Sequence, residues 1–413
     1  MTANTFTTLG AAAILYMLAG CHQSTNQQSN KDTVEASYQK GTFGYDLEFL
    51  KQHDSVLILS SPSGSGQILV SPKYQGKVFT STAEGLQGAS FGWVNYEAFD
   101  APLDPHMNAY GGEDRLWLGP EGGPFSLYFA EGEEMVYENW KTPAAIDTEA
   151  WILHTHTDRS ASMTKDAEMT NYAGTVLNMG LKRDIEMLSR EQIESDLNIR
   201  LNEHIKPVGF TTKNSITNLG DAAWTAETGA PCLWSLDMFL PTDSTVILVP
   251  YQEKGEGEVA TTDYFGEIEA HRIRYDDGML YFKADGKSRG KLGLSPHRAK
   301  AFAGSYDLGT GVLTVTTFTL DPEATYLNQE WTTAKDPFKG DAVNAYNDGP
   351  LADGGQMGPF YEIESVSPAA FLAPQESLAH VHNVYHFAGD KKEVASLLEQ
   401  IFNIQVADIQ SAL

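Results

Sequence analysis

DSVLILSSPSGSGQILVSPKYQGKVFTST (residues 54–82) sets the texture of the whole chain. Within it, Val56 to Leu59, Gln67 to Val70 and Lys77 to Thr80 are rich in β-branched and apolar side chains, and Ser, Gly and Pro break them apart. Runs of that length between turn residues read as strands joined by tight turns. The alternation continues at Phe125 to Phe129, Trp151 to Thr157, Thr175 to Asn178 and Thr245 to Tyr251. It returns at Met279 to Ala284, Gly311 to Leu320, Phe360 to Ser365 and Ala379 to Phe387. Such spacing indicates a mainly β sandwich or barrel and not βαβ units.

Two segments carry helical signals. SREQ (residues 189–192) has capping-box spacing ahead of Ile193 and Leu197, which predicts a short surface helix. Asp390 precedes a stripe of Val394, Leu397, Leu398 and Ile401 at i, i+3, i+4 and i+7, which predicts a C-terminal helix docked on the sheets.

Residues 1–20 contain no charged side chain, and Leu9 to Leu18 is almost wholly apolar. Small residues then precede a cysteine in Leu18-Ala19-Gly20-Cys21, which is similar to the lipobox of bacterial lipoproteins. We therefore expect a signal peptide over 1–20, lipidation at Cys21 and a place in the cell envelope, periplasmic or on the outer surface. The apolar run is far shorter than the roughly twenty residues that cross a bilayer as a helix, so the membrane is expected to be reached through the lipid alone. Residues 21–40 are polar and have no apolar period, as in a tether, and 41–413 are expected to form the folded β domain.

With Cys21 lipidated, Cys232 has no partner among the two cysteines, so no disulfide supports the fold. A net charge of -27 argues against nucleic acid as a partner and favours neutral ligands. A polyanionic sugar would require local Arg and Lys working against that field.

Chemistry concentrates in three places. NAYGGEDRLWLGPEGG (108–123) combines glycines with Arg115, Trp117 and Glu121, a set suited to stacking on a sugar and bonding its hydroxyls. The alternative is a strand between turns, with Arg115 and a Glu in a buried ion pair. Residues 328–350 read as a long loop whose Asn347 and Asp348 are further ligand-binding candidates. Its oxygens, Asp341 and Asp348 included, leave a calcium ion open as an alternative to no cofactor at all. In the third place, FYEIESVSP (360–368), a strand would put Glu362 and Glu364 on one face and Tyr361 and Ile363 on the other. Paired carboxylates raise one pKa, which suits acid–base work. Histidines fall in two clusters, His154 with His156 and His380 with His382 and His386, open to proton donation or zinc.

FYEIESVSP (360–368), followed by LAPQE (372–376), His380 and VYHF (384–387), resembles the last strands of galactose-mutarotase-like proteins. YGGEDRLWLGPE (110–121) and ILVSPKYQGKVF (68–79) resemble further blocks of that superfamily. The resemblance implies a β-supersandwich of two large antiparallel sheets whose concave face binds carbohydrate. It implies Glu364 as the base, with Glu362 as second choice. The Asn-His block of mutarotases has no match here, and His156 is the candidate acid. Arg115, Trp117 and Glu121 would grip the sugar. A non-catalytic carbohydrate or envelope binder remains the alternative, as does a polysaccharide lyase or hydrolase.

Overall fold

The structure, a computed structural model, describes residues 38–255, 257–351 and 354–412. The expected signal peptide, Cys21 and nearly all of the tether lie outside the described residues. The first strands are β1 (Leu57–Ser60), β2 (Gln67–Ser71), β3 (Lys77–Thr82), β4 (Arg115–Gly119), β5 (Ile152–His156) and β6 (Ser160–Thr170). They are followed by β7 (Val176–Met187), β8 (Ile205–Asn218), β9 (Cys232–Phe239), β10 (Thr245–Pro250), β11 (Ile273–Asp276) and β12 (Met279–Lys283). The last are β13 (Gly290–Leu294), β14 (Phe302–Asp307), β15 (Leu313–Phe318), β16 (Val343–Asn347), β17 (Tyr361–Val366) and β18 (Ser377–Gly389). Helices are few and short: α1 (Phe43–Leu50), α2 (Arg190–Leu197), α3 (Lys391–Phe402) and α4 (Val406–Ala412).

Two large antiparallel sheets make the body, as the sequence implied. One has ten strands in the order β11-β12-β10-β14-β15-β18-β8-β7-β6-β5, and the other five in the order β13-β16-β17-β9-β4. A small third sheet, β1-β2-β3, is built from residues 57–82. Every residue of β4, β9, β13, β16 and β17 is buried, so the five-stranded sheet is covered on both faces. One of those faces packs on the ten-stranded sheet, whose other face is covered in part by α2, α3 and α4.

The expected helices are present. Ser189 and Gln192 form the capping box of α2, and Asp390 caps α3, which buries Val394, Leu397 and Leu398. Two expectations are corrected. Phe125 to Phe129 is not a strand: the Ser126 and Leu127 N–H groups donate back to the Gly123 and Pro120 carbonyls, closing a turn in place of a ladder. The stretch 328–350 is not loop throughout, since β16 pairs between β13 and β17.

The space between the two large sheets is unusually polar. His382 Nε2 lies 2.9 Å from Asp237 Oδ2, and the Ser365 hydroxyl lies 2.8 Å from both His380 Nε2 and His382 Nδ1. Arg183 donates to Asp114 at 2.5 Å, and His386 Nε2 is 2.9 Å from Glu113 Oε1. Such groups stay inside only because each has a partner. Burial and the neighbouring His382 push His380 down to about 3, so it stays neutral in the fold through the mildly acidic range. The unfolded chain takes up a proton on this residue near its ordinary value of 6.5. Stability from this group is therefore complete above that value and lost as pH falls towards the folded one. Urea unfolding at pH 7 and pH 4.5 tests this: the wild type should lose roughly 2 kcal/mol more than His380→Gln over that interval. An equal loss in both would contradict it.

Candidate functional site

Alternation along β17 decides which groups reach the outer face of the five-stranded sheet. Tyr361 and Ser365 point into the inter-sheet space, where they bond Ser305 and the two histidines. Glu362 and Glu364 therefore point the other way, on one face as the sequence predicted. There they meet two cations. Arg115 donates to Glu362 Oε1 at 2.6 Å, and Lys291 Nζ donates to Glu364 Oε2 at 2.9 Å. Trp234 Nε1 donates to the same Glu364 oxygen at 2.9 Å, and the Lys291 ammonium sits 4.8 Å above the Trp234 ring. Burial, together with the charge on Glu364, pushes Glu362 up to about 8 in spite of Arg115.

Above this row opens a cavity of about 870 Å³. Its floor includes Lys291, Glu121, Tyr264, Gln329, Tyr346 and Asp348. One wall is aromatic. Trp140 and Trp331 stack with centroids 5.8 Å apart and planes 25° apart, and Tyr137 continues the stack at 6.2 Å from Trp140. Glu121 reaches this wall because its loop packs against the backbone of Glu330: a Cβ on Gly122 would lie 2.1 Å from the Glu330 carbonyl oxygen. Gln329 fixes the approach, accepting from the Glu121 backbone N–H at 2.6 Å. Burial raises the Glu121 carboxyl above the ordinary carboxylate range, opposed by Lys291 and by a hydrogen bond from Trp331. Gly293 serves the same purpose on β13, since a Cβ there would collide with Asp341, whose carboxylate accepts from Tyr264 at 2.6 Å.

The expected site residues divide into three groups. Glu121 and Asp348 line the cavity. Arg115, Glu362 and Glu364 lie beneath its floor; Glu364 is 0% exposed, so the group that represents it in the cavity is Lys291. The buried Arg115–Glu ion pair that the sequence left as an alternative is what forms. Trp117 is not an exposed stacking platform: it is 5% exposed, under Arg115 and edge-on to Trp234. Asn347 is corrected as a ligand contact. It faces away from the cavity and holds the 285–289 turn, accepting from the Gly286 N–H and donating to the Ser288 carbonyl, each at 2.8 Å.

His156 is corrected as the acid. It is exposed on β5, the outermost strand of the ten-stranded sheet, and does not line the cavity. His380, His382 and His386 are buried between the sheets. Among the described residues no group of three or more His, Cys, Asp or Glu side chains is placed to hold a metal ion. Lys291, Trp140, Tyr264 and the stacking role of Trp331 went unpredicted. Each comes from a different loop or strand, so no local motif announces them.

A family model described as a family of unknown function (DUF6786) matches residues 41–413. The chain belongs to that family. No curated protein matches this DUF6786 member in sequence. Among solved structures it is similar to a putative aldose 1-epimerase from Escherichia coli K12, with 15% identity over 80% of this chain and 98% of that one, at a TM-score of 0.46. It is similar to a galactose mutarotase-like protein from Lactobacillus casei, with 10% identity over 80% of this chain and 100% of that one, at a TM-score of 0.47. The Slr1438 protein from Synechocystis gives 12% identity, 82% and 96% coverage and a TM-score of 0.46.

The cation–carboxylate row of this DUF6786 member makes a stability prediction. Glu364→Ala leaves the Lys291 ammonium and the Trp234 N–H without their acceptor in a buried position. Denaturant unfolding should show a loss of about 3 kcal/mol or more, and a loss under about 1 kcal/mol would contradict the pairing.

Proposed function

We propose that the cavity over the five-stranded sheet binds a carbohydrate and exchanges protons with it. The observation that carries this reading is the aromatic wall, in which the buried Trp140 backs the more exposed Tyr137 and Trp331, beside a floor that Glu121 and Lys291 both line. Aromatic faces accept the C–H surface of a sugar ring, while the converging polar groups take its hydroxyls. The resemblance of the 360–387 and 110–121 segments to galactose-mutarotase-like proteins supports the same class.

Opening an aldose ring requires one proton removed from the anomeric hydroxyl and one delivered to the ring oxygen as the carbon–oxygen bond breaks. Glu121, with its raised pKa, takes and returns the first. The Lys291 ammonium, held in place by Glu364 and Trp234, delivers the second to the ring oxygen and recovers it on ring closure. Glu364 is then a positioning residue beneath the site, acting through Lys291.

Anomer exchange of aldoses followed by NMR tests the roles. Glu121→Gln should keep sugar binding and slow exchange by about 100-fold or more. Exchange equal to the wild type's would overturn the assignment. Exchange at the uncatalysed rate in the wild type, with binding intact, would favour the non-catalytic binder.

The lipobox-like Leu18-Ala19-Gly20-Cys21 supports placing this site in the cell envelope on a lipid anchor. Expressed in a bacterial host, the full chain should partition with membranes and gain lipid mass at Cys21. Cys21→Ala should abolish both, and membrane association of the variant equal to wild type would contradict the anchor.

A further inference from the structure

At the mouth of the cavity stands a cation of a different kind from Lys291. Arg289 immediately precedes β13 and lines the opening. Its guanidinium lies 3.8 Å over the Phe265 ring. Asn347 clamps the turn that presents it, through the Gly286 N–H and the Ser288 carbonyl. The tight approach of Gly349, where a Cβ would lie 2.4 Å from the Arg289 nitrogen, confines the same turn from the other side. The side chain is thus delivered on a clamped backbone turn and stands, solvent-exposed, over a ring.

Among the described residues this guanidinium has no anionic partner. Three of the carboxylates that line the cavity are otherwise engaged. Asp348 accepts from the Tyr346 hydroxyl at 2.9 Å and the Gly358 N–H at 2.8 Å. Glu330 takes Lys335 at 2.6 Å. Asp104 accepts from the backbone N–H groups of His106 and Met107. Among the described residues, no hydrogen bond or ion pair satisfies the Arg289 donors. In a chain of net charge -27, an exposed cation at a binding cleft with no carboxylate partner among the described residues is available to an anion carried by a ligand.

We propose that Arg289 receives a carboxylate carried by the sugar, so that the cavity selects a uronic acid or a glycan containing one. This rests on the carbohydrate reading above and narrows it. A planar guanidinium fork matches a planar carboxylate through two parallel N–H···O bonds, which a neutral hydroxymethyl group does not reproduce. The contact with the Phe265 ring uses none of the guanidinium N–H donors as hydrogen bonds, so they remain available to the carboxylate. The surrounding negative field repels any anion at long range, so the selectivity comes from contact with Arg289 and not from steering.

Isothermal titration of the full chain with methyl glucuronide and galacturonide, the matching neutral methyl glycosides and their 6-sulfates tests this. The wild type should bind one uronide about tenfold or more tighter than its neutral counterpart. R289Q should lower the affinity for the uronide far more than for the neutral glycoside, and R289K, which keeps the charge but not the fork, should restore only part of the preference. Equal affinity of uronide and neutral glycoside in the wild type, or a preference that survives R289Q, overturns the proposal while leaving the carbohydrate reading standing. Tighter binding of the sulfates than of the uronides overturns the choice of a carboxylate. Failure of every sugar to bind overturns the carbohydrate reading itself.

Discussion

Lys291 and Glu364 hold each other at 2.9 Å on the outer face of the five-stranded sheet, and the cavity is organised around that contact. Neither charge tolerates this position alone, since the lysine side chain is 9% exposed and the glutamate 0%. Trp234 adds a second donor to the carboxylate and a ring beneath the ammonium. The pair is crossed by a second one. In the sheet register Arg115 lies opposite Leu236, which lies opposite Glu364, yet Arg115 bonds Glu362; Lys291 shares the Tyr346–Glu362 row, yet bonds Glu364. Each cation thus reaches diagonally, tying β4 and β13, the two edges of the sheet, to β17 at its middle. The floor of the cavity is in consequence a set of fixed charges, with one ammonium presented upward.

The opposite face of the same sheet is built on a related rule with a different result. Asp237, Ser365, His380 and His382 bond one another in the inter-sheet space, and His386 bonds Glu113 there. Partnered polar groups at that interface fix the registry of one sheet on the other more narrowly than apolar side chains alone. A sheet so constrained holds the residues of its outer face in one arrangement, which is what a binding floor requires.

The sequence made the architecture legible where strands expose one face or stand between clear turns, as in β1 to β3 and β18. It hid β9, whose CLWSLDMF is buried on both faces and shows no alternation, and β16, whose two Asn look like turn residues. The pairing of Glu362 and Glu364 on one face followed from strand geometry alone. Their depth did not, because burial depends on what the chain lays over them from segments far away: the 121–140 turns, the 264–265 loop and the 328–332 loop. The same distance in sequence explains why Trp117 drew attention as a stacking residue when Trp140 and Trp331 form the wall, and why His156 was chosen in the absence of any local mark on Lys291.

A sugar ring bound as proposed lies on the Tyr137–Trp331 wall with its hydroxyls turned to Glu121 and Lys291. A crystal structure of the full chain with a bound monosaccharide should show a ring face in van der Waals contact with one of these two side chains and a sugar oxygen within hydrogen-bond distance of both floor residues. A sugar bound anywhere else on the molecule, with this cavity empty, would contradict it.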